Sequence, residues 1–159
     1  MLIPVEIASF AVDAASGGPL IILKETGGVR TLPVAIGPYE ASAIAIKSLK
    51  VTSERPLTID LTKALMEQLG GVLDKVVIHD VSEQTLFARL YIFRGNNLHL
   101  VDSRPCDAIA LAMRCETPVF VEDAIFEKTS EDGALSEDEK LRSTIAGIDT
   151  LSFGSYYLE

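Results

Sequence analysis

Residues 71–114 read GVLDKVVIHDVSEQTLFARLYIFRGNNLHLVDSRPCDAIALAMR, and along this stretch the hydrophobic pattern passes from that of strands to that of a helix at one proline. Before Pro105, three segments rich in β-branched and aromatic residues (72–81, 85–93 and 98–101) have the composition of strands. Tight turns at Ser82-Glu83 and Gly95-Asn96-Asn97 join them, so the predicted arrangement is an antiparallel meander. After it, Ile109, Leu111, Ala112 and Met113 supply the buried face of a helix over 104–114. Pro105 falls in the first turn, where a missing N–H is tolerated, and Asp107 meets the positive end of the helix dipole.

Working outward, the N-terminal third predicts a second meander. Ile3, Val5 and Ile7 alternate with Pro4, Glu6 and Ala8, and the phase slips at Phe10 and Val12, as in a kinked strand ending near Asp13. Turns at 16–19 and at Gly27-Gly28 separate strands over 20–24 and 29–36. Ala41, Ile44, Ala45 and Leu49 recur at helical spacing over 39–49. Leu61, Leu65, Met66 and Leu69 mark a second helix over about 60–69, with Thr58 or Asp60 as its cap and Gly70-Gly71 as its stop. A short strand at 118–122 follows. Residues 127–139 are too polar for either period and read as a solvated loop entering a short helix at Leu141 and Ile145. The expected fold is α+β: a single domain of two largely antiparallel meanders, three main helices and a short C-terminal helix. Residues 1–126 form its body, and 127–159 an acidic extension packed on the same domain.

Composition narrows the function. With 48% apolar residues, no tryptophan and few aromatics in 159 residues, the core must be built from Ile, Leu, Val and Ala. A net charge of −9 argues against a broad phosphate-neutralising surface. Residues 1–126 carry only −4 of it and the last 33 residues −5, which leaves room for a basic cleft in the body. Cys106 and Cys115 are too few for a disulfide framework or a structural zinc site and read as reduced thiols. No basic leader opens the chain and no eighteen uncharged apolar residues run together, so the expectation is a cytoplasmic protein without a membrane span.

Four segments carry a family resemblance: IGPYEASAIA (36–45), RPLTIDL (55–61), DSRPCDAIALAMR (102–114) and PVFVED (118–123). In order and spacing they resemble the motif blocks of the bifunctional nuclease domain family over about residues 2–126, and Phe153-Gly154 is similar to an ending common there. The resemblance implies a mixed α+β fold, self-association into a homodimer or larger homo-oligomer, and RNase and DNase activity. One position departs from the pattern. Ile59 stands where the RPxTHDL block usually carries histidine, so any role of that histidine as base or metal ligand is absent here.

Phosphodiester cleavage needs an activated water and neutralisation of developing phosphate charge, commonly by carboxylate-held metals and by Arg or Lys clamps. The candidate catalytic residues are Asp102, Arg104 and Asp107 at one strand-to-helix corner, and Arg55 and Asp60 at a similar Arg-Pro corner before the second helix. Glu40, in a first helical turn, completes a candidate site for Mg²⁺ or Mn²⁺ with Asp60 and Asp102; no organic cofactor is expected. If the two halves pack face to face, both corners line one cleft for RNA or single-stranded DNA. Each residue also has a plainer reading. Acids at helix starts cap them, each worth roughly 0.5–2 kcal/mol, and arginines pair with those acids. On that reading the chain is a non-catalytic oligomeric module for an anion or a partner, or a dimerisation domain with its Arg-Pro corners buried. His79 and His99 lie in strands without a second histidine block, and Cys106, at a helix start, has no histidine placed beside it and reads as a tolerated small side chain. Gly17-Gly18 and Gly27-Gly28 are hairpin turns without the following helix that a phosphate loop requires.

Overall fold

The computed structural model describes residues 1–132 apart from Thr52 and Gln84. In chain order the elements are β1 (Leu2–Val12), β2 (Pro19–Glu25), β3 (Thr31–Ala35), α1 (Pro38–Ser48), α2 (Thr58–Gln68), β4 (Gly71–Ser82), β5 (Thr85–Arg94), β6 (Asn97–Ser103), α3 (Pro105–Cys115), β7 (Val119–Glu122) and α4 (Asp123–Asp132). They make an α+β domain, as the sequence implies, with both meanders in place. The meanders do not face each other, however. They lie side by side in one seven-stranded sheet of order β3-β2-β1-β7-β4-β5-β6. β7 is the wedge, antiparallel to β1 (Ile3↔Val121) and parallel to β4 (Val77↔Phe120). Four residues thus join the halves, because α3 carries the chain back from the β6 edge to the sheet centre. The slip in β1 is a register shift between Ile7 and Ser9.

Alternation along the strands sends Ile3, Val5, Leu23, Leu32, Val34, Val76, Ile78, Ala88, Leu90 and Val121 to one face, where they form a single cluster with Ala41 and Ile44 of α1, Ile125 and Phe126 of α4 and most of α3. α3 is the centrepiece. Ala108, Ala110 and Ala112 let it seat closely against sheet and helices, and Ile109 and Leu111 fill the space left. Among the described residues, no helix packs on the opposite face of the sheet.

Three expectations about helices are corrected. α2 buries none of its residues fully. Ile59 and Met66 lean on the core, whereas Leu61, Leu65 and Leu69 are exposed, so the apolar spacing marks a helix but not its buried side. No side chain caps α3 either. Asp102 stays within β6, opposite Arg89, and Asp60 sits inside α2, where its Oδ2 accepts the Leu57 N–H at 2.9 Å. From Glu127 the chain continues as helix through Asp132 rather than loop, because Ile125 and Phe126 anchor α4 in the core and Arg30 holds its start, bonding Asp123 at 2.7 Å. The expected helix at Leu141 and Ile145, and Phe153-Gly154, lie outside the described residues.

Gly71 sits where α2 turns into β4. A Cβ there would lie 2.9 Å from Met66 Cγ, 3.1 Å from the Met66 carbonyl and 3.2 Å from Ile92 Cγ2. Gly71→Ala is therefore expected to destabilise the fold by about 1–3 kcal/mol through overpacking. Gly18→Ala, which meets only the Ser16 hydroxyl, stays within about 0.5 kcal/mol in urea titrations of both variants.

Candidate functional site

Two polar centres lie at opposite ends of α3. At the first, α3 leaves β6 through Arg104 in extended backbone and Pro105, just as α1 begins through Gly37 and Pro38. Arg104 ties the two helix starts together. Its Nη2 donates to Glu40 Oε1 at 2.6 Å and its Nε to Asp107 Oδ2 at 2.7 Å, each acid standing in the first turn of its helix. Gly37 makes room for this, since a Cβ there would stand 2.2 Å from Glu40 Oε2. Asp107 and then Glu40 raise the Arg104 guanidinium above its ordinary pKa, so it is a fixed cation although its side chain is 67% exposed.

Glu40, Cys106 and Asp107 offer donor atoms within 4.8 Å of one another. As a site for Mg²⁺ or Mn²⁺ this set fits poorly. Hard cations take oxygen ligands. Here both carboxylates are matched to Arg104, and the third donor is a buried thiol. Burial, then the neighbouring Asp107 charge, pushes the Cys106 thiol up, which removes it as a nucleophile as well.

The second centre is built on Arg114, at the far end of α3. It is only 6% exposed, the one buried charged residue among the described residues. Its guanidinium is spent on all three helices around it: Nε donates to Asp60 Oδ1 of α2, Nη2 to the Ala43 carbonyl of α1 at 3.1 Å, and Nη1 to the Ala110 carbonyl of its own helix at 3.3 Å. Lys63 Nζ adds a bond to the Arg114 carbonyl at 2.9 Å. Burial by itself pushes the Asp60 carboxyl up, but the Arg114 hydrogen bond, the Leu57 N–H and the charges of Arg114 and Lys47 together hold it below the usual aspartate range.

Beside this pair opens a groove of about 790 Å³ whose lining includes Lys47, Lys50 and Arg55 as well as Glu54, Asp60 and Glu116. Arg55 makes no hydrogen bond or ion pair among the described residues and stands exposed at the rim. Arg114 is buried and paired with Asp60, so the rest of the charged lining is three cations, Lys47, Lys50 and Arg55, to two acids, Glu54 and Glu116, in a chain of net charge −9.

The structure brings together some of the sequence candidates and separates others. Arg55 and Asp60 share the groove; Arg104, Asp107 and Glu40 share the corner; Asp102 stands apart on β6. The single cleft expected from face-to-face halves does not form. Asp107 and Arg114, seven residues apart on one face of α3, are separated by about 10 Å along its axis at roughly 1.5 Å per residue, and the groove lining includes Arg55 and Asp60 but not Glu40, Arg104 or Asp107. For the same reason Glu40, Asp60 and Asp102 do not gather as a metal trio. Ile59 packs against the core, so the position expected to hold histidine contributes an apolar contact instead of a base. His79 belongs to neither centre; it lies at a register shift of β4, its Nε2 buried and unpartnered among the described residues. Sequence reasoning missed Arg114. The available signal was a single charge ending a helix otherwise apolar almost all round, which has to be buried and so needs an acid.

Comparison with known proteins bears on what the groove is for. A family model described as the bifunctional nuclease domain matches residues 21–133. An uncharacterized protein of Mycobacterium tuberculosis is 37% identical over 135 residues, covering 85% of this chain and 79% of that protein. Bifunctional nuclease 1 of Oryza sativa subsp. indica is 25% identical over 112 residues, covering 69% of this chain and 34% of the rice protein. Bifunctional nuclease 1 of Arabidopsis thaliana is 29% identical over 107 residues, covering 65% and 33%.

Removing Arg114 leaves the Ala43 carbonyl and Asp60 without their shared donor. Arg114→Met is expected to lower stability by about 3 kcal/mol, the low end for breaking a buried pair, since Asp60 is partly solvated. Asp60→Asn should show its origin through pH. A carboxyl whose pKa is lowered by folding stabilises the fold above its unfolded value, near about 4, and loses that contribution as pH falls through the folded value. The stability gap between wild type and Asp60→Asn, followed by urea titration, should be full at neutral pH and close in the acid range below about 4.

Proposed function

The chain belongs to the bifunctional nuclease domain family, and from that premise we propose that it hydrolyses phosphodiester bonds of RNA or single-stranded DNA in the groove beside Arg114. The observation that carries the reading is the placement of Lys47, Lys50 and Arg55 around a carboxylate held ionised by a buried guanidinium. In this proposal the three surface cations hold successive phosphates of a single strand. Asp60 keeps lone pairs free on both oxygens for a water, although each already accepts one hydrogen bond. Its depressed pKa makes it a fixed acceptor that orients the water rather than a strong base. The Arg104 corner holds the starts of α1 and α3 in register and so keeps the groove in shape. Mg²⁺ or Mn²⁺ would assist in this proposal, although among the described residues the one cluster of suitable donors, Glu40, Cys106 and Asp107, fits such an ion poorly. The protein works as a homodimer or larger homo-oligomer in the cytoplasm. In keeping with that setting, both cysteines are free, and no helix among the described residues is long and apolar enough to cross a membrane.

A second reading, a non-catalytic module that binds an anion or single strand in the same groove, is favoured by one observation: Ile59 faces the core where a histidine would be expected. Cleavage of end-labelled RNA and single-stranded DNA, with Mg²⁺, Mn²⁺ or EDTA, separates the two. Arg55→Ala and Asp60→Asn, checked for folding, should each lower turnover by about a hundredfold or more, the scale seen when one charge-stabilising donor is lost. Arg104→Ala and Asp107→Ala should change it less than about tenfold. Binding by wild type should weaken with salt, and Arg55→Ala should lower the salt slope by about one. A wild type that binds but does not cleave returns the groove to the binding-module reading, and equal turnover in Arg55→Ala and Asp60→Asn moves the chemistry elsewhere.

A further inference from the structure

Three helices end in the same kind of turn and differ in the residue that makes it. After α1, the Val51 N–H reaches back to the Ile46 carbonyl and the Lys50 N–H to the Lys47 carbonyl, each at 3.1 Å. After α3, the Thr117 N–H reaches the Ala112 carbonyl at 3.0 Å, and after α2 the Gly70 N–H bonds the Glu67 carbonyl at 2.9 Å. Each turn needs one residue in the left-handed region, which glycine enters without strain. α2 uses Gly70, at φ 79°. α1 uses Lys50, at φ 54°, and α3 uses Glu116, at φ 55°. Among the described residues the third non-glycine in that region, Glu83, lies in the β4–β5 turn. Gly70 is not part of the groove lining, whereas Lys50 and Glu116 both are. Their side chains give nothing back to the fold: both residues are exposed, and neither makes a hydrogen bond or ion pair among the described residues. Non-glycine residues held left-handed without structural return point to function.

Lys50 suits a groove for phosphates, but Glu116 does not, because a carboxylate repels them. It is an acceptor without a donor of its own. On the reading of the groove given above, on which this inference rests, the groups of a strand that can meet Glu116 are the uncharged donors between its phosphates: base amino groups and, in RNA, the ribose 2′-hydroxyl. The apolar lining is Ile46, Val51 and Pro56, which offers bases no ring to stack on. We propose that Glu116 is the specificity-determining residue of the groove, accepting a hydrogen bond from such a donor while Lys50 binds a phosphate, and that both occupy left-handed positions where glycine would make a more stable protein. The acid then turns away any strand that presents phosphate alone.

The test uses the full chain in EDTA and three labelled probes of about eight units, within the usual span of a single-strand site: oligoriboadenylate, oligodeoxyadenylate, and an abasic deoxyribose phosphate strand with neither base nor 2′-hydroxyl. Wild type should bind at least one adenylate about tenfold or more tightly than the abasic strand, the scale of a hydrogen bond to a charged acceptor. Glu116→Gly should bind the abasic strand at least as tightly as wild type does and shrink the preference below about threefold. Its Tm should rise by about 2–4 °C as the left-handed strain is relieved. Glu116→Gln, which keeps an acceptor and the strain, should retain part of the preference with Tm unchanged. Lys50→Gly should raise Tm likewise, weaken all three probes alike and lower the salt slope by about one. Tighter binding of the ribose strand than of the deoxyribose strand assigns the donor to the 2′-hydroxyl, and equal binding of the two adenylates above the abasic strand assigns it to the base. Glycine variants that bind and discriminate as wild type does overturn the inference, as do glycine variants no more stable than wild type. Arg55→Ala separates that failure from failure of the groove itself. If Arg55→Ala weakens binding and the two glycine variants do not, this inference alone falls; if Arg55→Ala binds every probe as wild type does, the groove reading falls with it.

Discussion

The buried guanidinium of Arg114 is the constraint on which the helical layer depends. A charge in the interior is tolerated only where its donors find acceptors, and those of Arg114 come from three different helices: a carboxylate on α2, a carbonyl on α1 and a carbonyl on α3. α2 has no fully buried residue of its own, so its position rests on a few contacts, of which the Asp60 bond to Arg114 is the strongest in kind. A methionine of similar length would fill the space at Arg114 but would specify no register between the helices.

The groove follows from the same arrangement. Asp60 is drawn toward Arg114, which stations the loop before α2, with Arg55, against the last turn of α1, with Lys47 and the adjoining Lys50. Cations that are far apart in the sequence then share one surface in a chain that is acidic overall. The Arg104 corner performs the corresponding task at the other end. One exposed arginine bridges the first turns of α1 and α3, and its pairing with Glu40 and Asp107 leaves less of its charge for a ligand than the free Arg55 offers. Polar geometry that looks catalytic in sequence therefore divides into a frame and an open surface.

Much of the fold was legible. The period-two runs located the strands within one or two residues, and Pro38, Pro105 and the Gly70-Gly71 pair bounded the helices, because proline and glycine act on the backbone locally. What the pattern did not contain was neighbourhood. β7 is four residues whose composition fits any buried strand, and its wedging between β1 and β4 is settled by the return path of α3. The leucine stripe of α2 reads as a buried face because spacing reports amphipathicity, not which neighbour covers the apolar side.

By itself, then, the sequence determined the α+β class, the element order, the character of the core and the family, each of which depends on local pattern or on motif blocks in a fixed order. It also determined that acids stand in the first turns of α1, α2 and α3, where the helix dipole favours them. Only the tertiary structure decided that the Arg-Pro corners belong to two centres and not one cleft, and that Asp60 answers to Arg114 rather than to a metal trio. The reason is distance. Pairing of charges across 54 positions of chain depends on how helices pack on a shared sheet, and nothing in local spacing encodes that contact.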